Sequence, residues 1–460
     1  MTTNARLSLT AVATAFAGVL GTFVLISRPQ WGPLFSASER QLDDWNAALP
    51  TGVAVGCVVA VLAYGALQRA GSARPPWITA VVATAVLIAA RLAVSGVSDL
   101  DQLTVLYYTK CVAGGVLLGA VVAAAWSRAL PRLALTIAVA ATFVVAHTAH
   151  SDWTPSTSML GEPFWWVLVP AIVLAAVCAA VDTDTPARAD AGTVREAIAA
   201  VSTLAVGHRL LSAWIDGQSG SRFRLWIVVG LCLVLVVALT EFWARRLDSP
   251  FLLAATAVAA TAPMVTTLLA DDHLRLQPWL PVAVGVTAVA AGVAIALRRP
   301  SPLIGLCLLA VIPLWTAVDP TATDSRAWFL VELAVLGVGI GLALGSTLPD
   351  GGAVAALGLV VPLLSLVFTT LVGVTTSFVV YSGSYEPLPD VPFNMPNGLS
   401  TSEAIEIFVD SDPWPSNVTF DRGAGVALLL VVVFCALAIR GLRARLVDQV
   451  QFPEPREDEP

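Results

Sequence analysis

The sequence predicts an all-α polytopic membrane protein with about 14 transmembrane helices, and three observations predict it. Of 460 residues 57% are apolar, enough for roughly thirteen or fourteen spans of about 20 residues each. Only 12% are charged, about half the share of an average soluble domain, so a water-facing surface cannot be covered. Both figures also exclude a disordered chain. The apolar residues stand in long unbroken runs, not in the short alternating segments of a membrane β-barrel.

The elements follow in order. Leu7–Ile26 is too long for the apolar core of a signal peptide, and Arg28-Pro29 stands where small residues would mark cleavage, so it reads as a retained helix. The segment Ser27–Thr51 holds an amphipathic stretch, Ser38–Ala48, expected to lie on the membrane surface. Gly52–Leu67, Trp77–Val94, Thr104–Trp126, Leu133–His147 and Phe164–Val181 complete the first six runs. Val194–Ile215 carries Arg195, Glu196, His208 and Arg209, and Leu225–Trp243 follows it. Phe251–Ala270, Trp279–Leu297, Leu303–Val318, Trp328–Ser346, Ala353–Tyr381 and Gly425–Ile439 are the last six. Ser382–Gly423, rich in Pro, Asp and Ser, joins the final two, with Ser402 as the N-cap of one helical turn. Phe452–Pro460 is expected to be a disordered tail.

Basic residues orient the chain. With the N-terminus inside, Arg6, Arg69, Arg128, Arg132, Arg245, Arg298 and Arg440 are among fifteen cytoplasmic arginines, against seven outside. Both termini are then cytoplasmic, in the plasma (inner) membrane. Trp31, Trp45, Trp77, Trp153, Trp279 and Trp328 lie at run ends, where amphipathic rings suit the headgroup zone. A single lysine among 25 basic residues, with abundant Ala and Val, fits a GC-rich, actinobacterial genome. The six cysteines fall inside apolar runs with no CxxC spacing, so they read as packing residues and no metal or cofactor is expected. The net charge of −7 is spread over loops on both sides and gives no footing for nucleic acid.

Several stretches, in the right order, resemble the fourteen-helix drug:proton antiporter branch of the major facilitator superfamily. Phe164-Trp165-Trp166 through Pro170 is similar to that family's entry into helix six. Glu241-Phe242-Trp243-Ala244-Arg245-Arg246 and Ser249-Pro250-Phe251-Leu252 resemble its helix-eight junction. Gly337, Gly339 and Gly341 look like its glycine stripe, and Lys110 through Gly114 like its R-x-x-x-G element with lysine for arginine. The departures are as specific. The loop after the second run keeps Gly65, Arg69 and Gly71 but lacks the acid. Gly21 stands where helix one should carry an aspartate, and the antiport signature is missing from Leu133–His147. The resemblance implies two six-helix halves, 1–181 and 251–446, with two inserted helices in 182–250 outside the transport path, and a tail from 447.

Charges inside a span cost about 2.5–3.5 kcal/mol at mid-membrane on insertion scales and are functional candidates by default. Arg91 either snorkels or pairs with Asp99. Lys110 and Glu332 lie on helices four and twelve, which the resemblance makes equivalent cavity-lining helices; they are expected to pair across the outer mouth, or else to bind separate neighbours. His147 is either an interfacial residue or a proton carrier. Glu241 and Arg245 are spaced for a solvated i,i+4 pair.

Three functions stay open. The first is a secondary transporter, an exporter of a hydrophobic or amphipathic small molecule, with protons as a candidate coupling ion and the lipid bilayer as its surroundings. The second is a non-transporting scaffold of transporter fold, with Ser382–Gly423 docking an envelope partner; the erased motifs and the acidic loop motivate it. The third is a polyprenyl-phosphate-dependent glycosyltransferase using Asp43-Asp44; absence of a phosphate loop, HExxH or nucleophile elbow argues against enzymes.

Overall fold

The computed structural model describes residues 3–27, 38–70, 72–97, 99–146, 160–182, 189–218, 222–269, 277, 279–319, 326–375, 377–379 and 417–451. They form α1 (Thr3–Ile26), α2 (Glu39–Leu67), α3 (Arg74–Ala93), α4 (Leu100–Ala125), α5 (Ala129–Val145), α6 (Trp165–Val181), α7 (Ala191–Asp216) and α8 (Arg222–Arg246). Then come α9 (Pro250–Leu269), α10 (Trp279–Arg298), α11 (Pro302–Val318), α12 (Arg326–Gly345), α13 (Gly352–Leu364), α14 (Leu366–Thr375) and α15 (Arg422–Gln451). Eleven spans are long and apolar enough to cross a bilayer, α13 and α14 together counting as one, and α5, α6 and α11 are shorter apolar helices. The protein is an all-α polytopic membrane protein; the described strands are one three-residue pair, β1 (Ser377–Val379) and β2 (Asn417–Thr419). Large apolar side chains on the outer faces of α3, α8, α11 and α15 are bare, among them Val82, Val234, Ile304 and Leu430. Such a belt suits lipid and would aggregate in water.

The packing repeats itself. In the first set, α1 packs on α4, α5 and α6, α2 on α4, and α3 on α4 and α6. In the second, α9 packs on α12, α13 and α15, α10 on α12, and α11 on α12 and α15. Advancing each span by eight turns the first set into the second. The two sets meet chiefly where α2 touches α13 and α5 touches α10, contacts that the same shift exchanges, with smaller ones of α4 on α13 and of α5 on α9, α12 and α13. The inserted α7 stands against α2 of one set and α13 and α14 of the other, so it flanks the seam instead of lying apart from it.

Four expectations need correction. Ser38–Ala48 is no separate surface stretch: Ser38 caps α2 in a reciprocal box with Gln41, and the helix runs on through Pro50 to Leu67. Its apolar stripe is covered by protein, with Trp45 buried edge-on against Tyr107, ring centroids 5.7 Å apart. Trp77 is also buried, not interfacial, because its Nε1 donates to Asp182. Ala353–Tyr381 is not one run: Ser365 leaves helical geometry at φ −80°, ψ 59°. Pro362 has no N–H to give, and Ser365 Oγ bonds back to Val361 O at 2.6 Å, which together free this turn to break. Finally, α15 continues to Gln451, past the expected boundary at 446. His147, Gly71, Trp31, Trp153, Ser402 and the tail lie outside the described residues, as do residues 380–416 of the long loop.

Candidate functional site

The site is the seam between the two sets, and within each set glycine fixes how closely the helices that flank it pack. A Cβ on Gly115 would stand 2.1 Å from Gly56 O, and one on Gly119 2.1 Å from Ala60 O, so α4 lies backbone to backbone on α2. The second set repeats this: a Cβ on Gly341 would meet Val289 O at 2.2 Å, and one on Gly292 would meet Val338 O at 2.4 Å. The predicted stripe therefore divides its work. Gly337 and Gly341 admit α10, while Gly339 admits Leu309 of α11. Gly114 admits Val24 of α1, and Gly65 admits Val194 of α7.

Few polar bonds cross the seam among the described residues. On the face bearing the N-terminus, Trp126 Nε1 donates to Pro349 O at 3.1 Å, and Arg132 pairs with Asp350 at 3.3 Å. The Asp350 carboxylate is fully exposed, so that pair contributes little. Deeper in, Cys57 Sγ points to Val360 O at 3.8 Å across α2 and α13. Toward the opposite face the contact is apolar, with Gly285 of α10 against Val145 of α5. Behind the seam, every side chain of α9 from Phe251 to Thr266 is buried. Thr256 and Thr261 turn their hydroxyls onto their own helix, to Leu252 O and Ala257 O. This wall is built mostly of Ala, Val and Leu, with Phe251, Pro263, Met264 and the self-bonded Thr256 and Thr261 among them.

Within the first set, the buried Lys110 is held by neutral oxygens. Its Nζ donates to Ser27 O at 3.1 Å, Ser27 Oγ at 3.0 Å and Leu160 O at 2.5 Å, with Gly161 O at 3.4 Å. Ser27 follows the last turn of α1, whose carbonyl end favours a cation. Gly161, at φ 59°, uses the left-handed conformation that glycine adopts freely. Glu332 instead accepts from Trp328 Nε1 at 3.1 Å. The expected Lys110–Glu332 bond is thus not made in this conformation; each binds a neighbour in its own set. Arg91 donates to Pro163 O and lies over the Trp165 ring at 5.0 Å, in place of Asp99. Trp166 is exposed on the lipid side of α6 and Pro170 is half-buried in the same helix. Arg69 is exposed, and Glu241 pairs with Arg245 as spaced.

The sequence did not point to the cluster at the other end of this set. Arg128 meets Asp182 at 2.6 Å, Trp77 donates to the same carboxylate at 3.1 Å, and both ions are largely buried. The cluster ties the start of α3 and the ends of α4 and α6. Its three members are far apart in the chain and match no motif, so nothing local announces them.

No family model and no curated protein matches the chain. Among solved structures, a bacterial homolog of the human lysosomal transporter Spinster, inward-facing and unoccupied, is similar over 97% of this chain and 98% of its own, at 12% identity and a TM-score of 0.40.

Proposed function

We propose that this chain is a secondary transporter in which two six-helix halves alternate access to a hydrophobic or amphipathic small molecule. The observation that carries the reading is the repeated packing. Two sets of helices related by one shift meet chiefly through two exchange-related contacts, with few hydrogen bonds among the described residues to break when they rock. The wall at α9 supports the substrate class, because it is mainly alkyl and Thr256 and Thr261 have already given their one hydroxyl donor to their own helix. The arginine bias supports an orientation with the N-terminal face toward the cytoplasm. Export, in the manner of drug:proton antiporters, is the finer form of the reading and rests on the motif positions at Gly114, Trp166, Pro170, Gly337, Gly339 and Gly341. A second reading, the scaffold, is favoured by the same α9, which is filled where a pocket is needed.

Vesicle transport decides between them. The protein is reconstituted with the exposed Cys307 replaced by Ser and with Arg132→Cys and Asp350→Cys. A panel of lipophilic cations and neutral amphiphiles is then assayed before and after a short bis-methanethiosulfonate joins the two thiols through disulfides. Movement of at least one compound, lost on cross-linking and regained on reduction, is expected. Movement of none supports the scaffold.

A further inference from the structure

One buried titratable ring has no part in the seam's contacts described so far. His208 sits on the inserted helix α7, 1% exposed, and its ring meets Phe368 of α14 edge-on with centroids 5.9 Å apart. Its Nδ1 is buried and has no hydrogen-bond partner among the described residues. The ring thus presents a buried nitrogen that no described group uses, which in the Nε2–H tautomer of the neutral ring is a free acceptor.

The surroundings are unusual in a second way. Phe368 lies three residues beyond the break at Ser365, and one turn along α7 from His208 the Ser212 hydroxyl meets the Thr370 hydroxyl at 2.6 Å. Irregular backbone at membrane depth persists only where protein or a water-lined cavity covers it. Here α7 is the cover, and it bridges both halves through α2, α13 and α14.

We propose that His208 is an intramembrane proton-binding site, formed where the inserted helix covers the broken thirteenth span, and that proton binding at Nδ1 loosens the contact between α7 and α14. The site gives the transport reading its coupling ion and rests on that reading only for its use, since the proton binding is testable without transport.

The charged and titratable neighbours define the sign. Helices α13 and α14 carry no titratable side chain. From α2 come Cys57, turned to Val360 O, and Tyr64, set against Gly352 at the N-terminal face, while Glu39, Arg40 and the exposed Asp43 and Asp44 stand in its outer turns. From α8 comes Cys232, whose Sγ points to Leu211 O at 3.7 Å, while Glu241 and Arg245 pair with each other at the helix end. On α7 itself the next residue, Arg209, reaches away to Thr51 Oγ1 and Ala47 O, Glu196 binds Arg246, and Arg195 and Asp216 are exposed near the helix's two ends. No carboxylate among these groups faces the ring, so an imidazolium is uncompensated in the packed arrangement and gains stability when α7 and α14 part and water enters. Acid therefore shifts the population toward the parted state and base toward the packed one.

The test places spin labels at Leu210→Cys and Val374→Cys, both exposed positions, in full-length protein with Cys307→Ser, in lipid nanodiscs. Between about pH 8 and about pH 5, the distance distribution should shift to longer values, and His208→Gln should hold it at the packed distances. An equal shift in His208→Gln, or no shift in either protein, overturns the proposal. Selective nitrogen-15 histidine spectra give a readout that needs no folded variant: a His208 ring that stays neutral throughout this range in the otherwise native chain also overturns it. A pH response without transport of any compound leaves the site standing and removes the transporter; transport without the response does the reverse.

Discussion

A Cβ cannot rotate away from its own backbone, which makes Gly119 and Gly115 the least replaceable residues at the α2–α4 crossing. Gly119→Val should force the helices apart and cost about 1–3 kcal/mol, seen as a lower thermal midpoint in detergent. Gly230 on α8, with nothing within 4 Å of its Cβ direction, is the control; Gly230→Ala should gain about 0.5–1 kcal/mol from helix propensity. Lys110→Met keeps the side chain's length and removes its three donors. The carbonyls of Ser27 and Leu160 then lose their partner, each at about 1–3 kcal/mol, and hydrogen exchange should rise first in residues 160–164. Lys110 was legible as a costly charge, but its partners were not, since backbone carbonyls carry no signature in a sequence. The same holds for His208: the residue is visible in the chain, and its unpartnered Nδ1 exists only once α7 and α14 are packed.

Hydropathy located the helices, misjudged where α2 begins and missed a break inside the thirteenth span. The outer turns of α2 read as a surface stretch because Asp43 and Asp44 alternate with apolar residues, yet Leu42 and Trp45 are covered by neighbouring helices. An amphipathic pattern states that one face is buried and does not say whether lipid or protein buries it. In the thirteenth span, an unbroken apolar run hid a break that Pro362 and Ser365 produce together. Replacing both, as Pro362→Ala with Ser365→Ala, should restore the missing backbone bonds and straighten α13 into α14. Pulsed electron–electron distances between the span's two ends should lengthen, and the Ser212–Thr370 contact should be lost. An unchanged distance would show that packing against α7, not local chemistry, holds the break.

At the scale of the whole molecule the native cysteines report on the seam. Cys57 lies between the sets against α13, whereas Cys111 is buried within the first set on α4. If the halves rock, a small water-soluble thiol reagent should modify Cys57 at a rate that changes with substrate or pH, while Cys111 stays protected. Equal protection of both under every condition would count against alternating access. Mass spectrometry of the labelled peptides reads both sites in one experiment.

By itself the sequence determined that this is a helical membrane protein of about fourteen spans and where most spans lie, because lipid selects for long apolar runs whatever their neighbours. It also marked the glycine stripe and the costly charges, each a property of a residue in its own helix. Only the tertiary structure decided which helices pair, that Lys110 and Glu332 face different partners, and that an inserted helix covers the seam. Those outcomes depend on contacts between residues up to hundreds of positions apart, such as Trp126 with Pro349. In a chain where nearly every helix is apolar, hydrophobicity does not distinguish one neighbour from another; the close fit of small residues and a few buried polar atoms does.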